Sequence, residues 1–206
     1  MNDFTLYSMP SSGNSYKVRL MMALTGRSYR HVPLESNSAE LEAAKTSGTL
    51  PLGKLPVLVL PDGTALTESS AILWYLAQNT DFLPKNALAQ ARVLEWMFFE
   101  QNRLEPVIAV RASLRSYPHL ADQATPERME TLRHDGTALL SLLDTALGKT
   151  QWLTGDTASI ADIALYGYVH SSGTRGGYDM DAFPHIQDWC ARISSLPGYV
   201  SLYHKP

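Results

Sequence analysis

The chain has 206 residues, 45% of them hydrophobic and 18% charged, which is enough apolar material for one large domain or two small ones and too much for a disordered polymer. A formal net charge of −3, with Lys and Arg scattered and nowhere in a run, excludes an electrostatic case for nucleic acid or an anionic membrane as partner. No apolar stretch approaches bilayer length and Met1-Asn2-Asp3 carries no positive n-region, so a cytoplasmic location is expected.

In chain order, Phe4-Thr5-Leu6-Tyr7 reads as a short strand, closed by Pro10 and the turn residues Ser11-Ser12-Gly13-Asn14. Val18, Leu20, Met21, Met22 and Leu24 read as a helix that Gly26 stops. Tyr29 to Leu34 is a second strand and Ser38 to Lys45 a short helix. Val57 to Leu60 is a buried strand, Pro61-Asp62-Gly63 a turn, Thr64 to Leu66 the returning strand, and Glu68 to Ala77 the next helix. After Pro84 the strand signals cease. Helical patterns cover Leu88 to Ser116, with a kink expected at Pro106, then Pro126 to Leu147, Ser159 to Ser171, and Pro184 to Leu196. The expected plan is an α/β domain over residues 1–80, a linker over 81–87, and an all-helical domain over 88–206.

One cysteine, Cys190, excludes an internal disulfide. It recurs with Ile186, Trp189 and Ile193 at i, i+3, i+4, i+7, the pattern of an apolar helix face, so any thiol chemistry must use a thiol from outside. The histidines show no metal-ligand spacing, and no metal and no covalently bound cofactor are expected.

Three segments carry the chemistry. In Lys54-Leu55-Pro56-Val57 the proline lacks an N–H for the ladder and must open the strand; a turn device and a cis bond that frees the Leu55 backbone for a peptide ligand both fit. Thr67-Glu68-Ser69-Ser70-Ala71-Ile72 opens a helix, where Ser and Glu suit capping, which nearly every helix needs, and free N–H groups also suit a carboxylate. The turn Ser11 to Val18 suits plain turn chemistry, and also a hydroxyl set with a helix terminus against an anion. A thiolate is a fitting anion, because a free thiol is mostly protonated at neutral pH and each unit of pKa depression needs about 1.4 kcal/mol.

Taken together and in order, the first strand, the serine-rich turn, Gly53-Lys54-Leu55-Pro56-Val57-Leu58, Glu68-Ser69-Ser70-Ala71-Ile72, the box Ser159-Ile160-Ala161-Asp162 and the last helix from Pro184-His185 resemble the glutathione S-transferase superfamily over essentially the whole chain. The resemblance implies a thioredoxin-like N-terminal domain that binds glutathione as substrate and a helical domain carrying the second substrate. It implies that Ser12 holds the thiolate, that the Leu55 backbone beside a cis Pro56 pairs with the cysteinyl unit, that Glu68 and Ser69 hold the γ-glutamyl end, and that Lys54 takes the glycine carboxylate. Asn14 stands where zeta-like members have cysteine, and with Ser12 it resembles the bacterial nu-like members associated with glutathione-dependent disulfide reduction. Tyr7 is the rival to Ser12, since tyrosine classes place the donor at the end of the first strand.

For the second substrate the candidates are Arg111, Arg115, Tyr117 and Tyr166; the two arginines, at i, i+4, share a helix face that reads as solvated. The function implied is a glutathione S-transferase acting on a small electrophile, with a disulfide reductase or a non-catalytic glutathione-fold binding module as alternatives. The family implies a homodimer.

Overall fold

The computed structural model describes residues 3–204, which fall into two compact units: one runs to Thr80 and takes in the chain from Ser194 onward, and the other spans Asp81–Ile193.

The first unit is built on a four-stranded sheet in the order β2-β1-β3-β4. β1 (Phe4–Ser8) lies between β2 (Tyr29–Pro33), to which it is parallel, and β3 (Val57–Val59), to which it is antiparallel; β4 (Ala65–Leu66) pairs with β3. The parallel pair requires a crossover. α1 (Gly13–Leu24) supplies it, and Gly26 at φ +63 ends the helix as its sequence position predicts. α1 buries residues on every side, unlike a surface helix. α2 (Ala39–Thr46) starts where Ser38 accepts the Leu41 N–H, and α3 (Ser69–Ala77) follows β4.

The chain from Ser194 packs on this unit and not, as expected, with the helical half. The Tyr16 hydroxyl donates to the Val200 carbonyl at 2.8 Å and Arg19 Nη2 to the Leu202 carbonyl at 2.8 Å. Gly198, at φ +83, passes so close to α1 that a Cβ there would lie 2.8 Å from the Ala23 carbonyl oxygen.

The second unit contains α4 (Ala87–Phe99), α5 (Val110–Ser116), α6 (Pro126–Leu147), α7 (Ile160–Val169) and α8 (Pro184–Ser194). Between α4 and α5 the chain stays helical, but Glu100–Ala109 is wound as a π-helix containing Pro106. A proline has no N–H and its ring crowds the carbonyl one turn back, so the hydrogen-bond ladder changes register around it. The expected kink is realised as that wider turn. An isolated bridge between Trp152 and Gly155 is the one extended pairing among this unit's described residues, in a stretch where none was expected.

α7 is buried almost all round, as a central helix must be. Its Ser159/Asp162 capping box also reaches outward: Asp162 Oδ1 accepts the Leu153 N–H at 3.0 Å and the Trp189 indole N–H at 2.9 Å, while Oδ2 accepts the Ser159 N–H at 2.9 Å and hydroxyl at 3.0 Å. No helix of the described residues is long and apolar enough to cross a membrane.

Candidate functional site

The strand-to-helix turn after β1 is held by a buried cation. Arg19, on α1, donates to the Ser8 hydroxyl at 3.0 Å, the Met9 carbonyl at 3.2 Å and the Pro10 carbonyl at 2.8 Å. The Met9 N–H goes to the Ser15 hydroxyl at 3.0 Å and the Ser12 N–H returns to the Met9 carbonyl at 3.1 Å. With its backbone so occupied, the turn presents Ser12 as the N-cap of α1, in extended conformation at φ −85. The half-buried Ser12 hydroxyl oxygen accepts the Ser15 N–H at 3.3 Å, and its proton goes to no acceptor among the described residues. A group that accepts a backbone N–H and keeps its own proton at a helix N-terminus is placed to donate to an anion.

Asn14 lies in the first turn of α1. Its Oδ1 accepts from the Lys17 ammonium at 2.7 Å and from the Ser69 hydroxyl at 3.1 Å, which joins the starts of α1 and α3. At the start of α3 the side chains do not cap. Glu68 occupies the cap position with φ +64 and ψ 115, left-handed backbone that a non-glycine residue enters only at a cost of about 1–3 kcal/mol, and makes no side-chain cap bond. Capping by Ser and Glu, one of the two sequence readings of this segment, is thus not what the structure holds. The first N–H groups of α3 have no partner among the described residues, and neither has the exposed Glu68 carboxylate.

The Leu55–Pro56 bond is cis, and neither the N–H nor the C=O of Leu55 is hydrogen-bonded among the described residues. Lys54 beside it is exposed and makes no ion pair among them. Tyr7, the rival to Ser12, pairs in β1 with Val32 and Val57 and packs against the cluster of Leu34, Leu41, Leu50 and Val57, which gives it a core role.

The second-substrate candidates lie apart from one another in role. Arg111 and Arg115 do share a face of α5, but the face meets the segment Ser172–Gly176, where Arg111 is buried and only Arg115 is exposed as the spacing suggested. Arg111 is buried; its Nε donates to the Gly176 carbonyl at 2.8 Å, its Nη1 to the Met129 carbonyl, and its guanidinium stacks over Tyr178. Arg115 Nε donates to the Arg175 carbonyl at 3.1 Å. Tyr166 is buried between His170 and Trp189, and Tyr117 at the end of α5 stands beside His119. None of the four lines a cavity of about 260 Å³ in this unit, whose walls include Glu105, Ser113, Leu114, Gln123, Arg128 and Tyr168. Lys17 and Arg19 also escaped the sequence reading. Their signal was two cations two residues apart inside the otherwise apolar run Tyr16 to Leu24.

Comparison with known proteins identifies the family. The glutathione S-transferase N-terminal domain family matches residues 6–84 and the glutathione S-transferase C-terminal domain family residues 107–197. The disulfide-bond oxidoreductase YfcG of Escherichia coli K12 is 30% identical over 200 residues, covering 94% of this chain and 91% of its own. A glutathione S-transferase structure from Pseudomonas fluorescens Pf-5 is 37% identical with a TM-score of 0.91, covering 98% of this chain and 99% of its own. A Burkholderia graminis glutathione transferase, solved with two glutathione molecules bound per subunit, is 25% identical with a TM-score of 0.82, covering 96% and 85%.

Proposed function

The chain belongs to the glutathione S-transferase family, and from that premise we propose that it binds glutathione in its first unit and uses the sulfur, held as thiolate by Ser12, as a nucleophile toward a small electrophile. The observation that carries the proposal is the Ser12 hydroxyl, which caps α1 as an acceptor and has its proton left for a ligand. One charge-assisted hydrogen bond and the helix terminus supply the one to two units of pKa depression that ionise a thiol near neutral pH, at about 1.4 kcal/mol per unit. The remaining open groups fit a γ-linked tripeptide. The Leu55 N–H and C=O suit its cysteinyl backbone, the Glu68 carboxylate its ammonium, the unpaired α3 N–H groups its γ-glutamyl carboxylate, and Lys54 its glycine carboxylate. The cavity lined by Ser113, Arg128 and Tyr168 is the proposed seat of the second substrate, in place of the arginines singled out by spacing. A cytoplasmic homodimer belongs to the same proposal on family grounds.

Disulfide reduction is the second reading, favoured by Asn14 beside Ser12 and by the likeness to YfcG. There the thiolate attacks one sulfur of a disulfide, the S–S bond breaks, and the other sulfur leaves as thiolate; a second glutathione resolves the mixed disulfide to glutathione disulfide and free thiol. The test is glutathione-dependent turnover of an aryl halide and of a small disulfide in parallel, with calorimetric titration of glutathione. Turnover of the halide supports conjugation and turnover of the disulfide supports reduction. Absence of turnover on both, with no heat of binding, overturns the proposal in favour of a binding module.

A further inference from the structure

The cavity of about 260 Å³ in the second unit has walls of two kinds. Val110, Leu114 and Leu120 are apolar, while Ser113 and Arg128 bring polar groups. A cavity of about 150 Å³ takes a benzene ring, so this one has room for a single ring with its substituents. The Ser113 hydroxyl, half-buried on α5, makes no hydrogen bond among the described residues. The hydroxyls of α6 behave otherwise: Thr131, Thr137, Ser141 and Thr145 each donate to the carbonyl one turn back, at 2.8 to 3.0 Å. Arg128 is the third residue of α6, where a carboxylate would complete a capping box with Thr125, as Asp162 does with Ser159 at the start of α7. A cation at that position also faces the positive end of the helix. No acid compensates it. Nη1 reaches the Gln123 carbonyl at 3.3 Å and its side-chain oxygen at 3.4 Å, both long, and Arg128 makes no ion pair among the described residues. Nε and Nη2 are left over, a planar pair of donors that matches the two oxygens of a carboxylate. Glu105, the acid of the same wall, is itself engaged in an interaction.

We propose that this cavity takes, as second substrate, a small ring compound bearing a carboxylate, with the carboxylate on Arg128 and Ser113 and the ring against Val110, Leu114 and Leu120. The proposal rests on the reading that the cavity seats the second substrate. In conjugation the glutathione thiolate forms a C–S bond at the ring carbon that carries a halide, and the halide leaves with the electron pair of the broken bond. Arg128 and Ser113 make and break no bond; they select the substrate and fix its orientation. A neutral analogue of the same shape leaves the guanidinium without its partner, which is what a site of this kind discriminates against.

The test uses the full chain and two probes of one shape, a chloronitrobenzoate and its carboxamide. Binding is measured first by calorimetric titration without glutathione, so that no reaction intervenes; turnover with glutathione is measured second, relative to the uncatalysed rate of each probe. The wild type is expected to bind the benzoate about tenfold more tightly than the amide, a preference that shrinks as salt is raised. Arg128→Gln is expected to abolish the preference by weakening the benzoate about tenfold while leaving the amide within about twofold. Ser113→Ala is expected to weaken the benzoate about threefold. Arg128→Glu completes the capping box, so its urea midpoint is expected to rise while its affinity for the benzoate falls furthest of all, a divergence that a merely structural role would not produce. No binding of the benzoate, equal affinity for the two probes, or an Arg128→Gln that weakens both alike overturns this inference. Turnover of both probes without the preference overturns it while leaving the functional reading intact. The preference in binding without glutathione-dependent turnover overturns the functional reading and leaves the cavity a carboxylate site.

Discussion

Replacement of Ser12 separates the cap it provides from the donor role proposed for it. As the cap of α1 its oxygen takes the Ser15 N–H at 3.3 Å, a long bond at the weak end of the range. Ser12→Ala is expected to cost about 1 kcal/mol of stability, and Ser12→Gly a few tenths, because glycine lets water reach the freed N–H. As donor to a thiolate the hydroxyl is expected to contribute about 1.5–3 kcal/mol, the usual worth of a hydrogen bond to a charged group, or one to two units of pKa. Both variants should therefore raise the bound thiol's pKa equally while differing in stability. At about pH 6.5 that is a 10- to 100-fold loss of glutathione turnover, and the loss should shrink toward unity once the pH exceeds the variant's thiol pKa. Ser12→Thr keeps the hydroxyl and should keep most of the rate. The assay is a pH–rate profile for wild type and the three variants, beside urea denaturation of each. A loss that is the same at every pH, or one that follows stability instead of the hydroxyl, refutes the role assigned to Ser12.

Glu68→Gly removes a left-handed non-glycine residue and is expected to raise stability by about 1 kcal/mol while weakening glutathione binding about tenfold or more; a denaturation midpoint and a calorimetric Kd that fall together would contradict it. Burial pushes the Cys190 thiol up to about 12, with the Arg192 charge opposing, so the native protein should resist an aromatic disulfide reagent at about pH 8 and yield its one thiol only in denaturant. Burial, then the Arg19 charge, holds the His31 imidazole below its ordinary 6.5, and the ring accepts the Ser8 hydroxyl at 2.7 Å as a neutral group. The unfolded chain therefore binds the proton more readily, so this contribution to stability is whole above pH 6.5 and is lost as the pH falls toward the folded value. Urea midpoints of wild type should drop on acidification more than those of His31→Gln; parallel curves would show that His31 has no part.

Local chemistry was legible in the sequence and tertiary partners were not. α6 began and ended where Thr125-Pro126 and Gly148 place it, because a cap, a proline at the first position and a break are all read within a few residues. Arg111 and Arg115 show the limit: i, i+4 spacing states that two side chains share a face, but what the face meets depends on Ser172–Gly176, some 60 residues away. Lys17 and Arg19 went unread for the same reason. A cation in an apolar run looks like an error in the helix pattern until Asn14 and the carbonyls of Met9, Pro10 and Leu202 are found around it. The tail from Ser194 was misassigned because its ties to Tyr16 and Arg19 span more than 180 residues.

The contrast among helix starts bears most directly on function. Ser12, Ser38, Asn86, Thr125 and Ser159 each accept a backbone N–H in the first turn of α1, α2, α4, α6 and α7. α8 is served from a distance, the Ile186 N–H going to Asp144. α5 continues a helix and needs no cap. α3 alone among these described helices opens with neither, and it opens on Glu68 in a conformation that opposes stability, although Thr67, Ser69 and Ser70 offer ordinary capping side chains within reach in sequence. Ser69 turns its hydroxyl to Asn14 instead, and the Ser70 hydroxyl is buried without a partner among the described residues. Ordinary stability would favour spending one of those hydroxyls on the helix. A fold that meets this need at the other free α-helix starts and declines it here keeps a set of N–H donors open at some cost, a feature that binding a carboxylate would explain and folding alone does not.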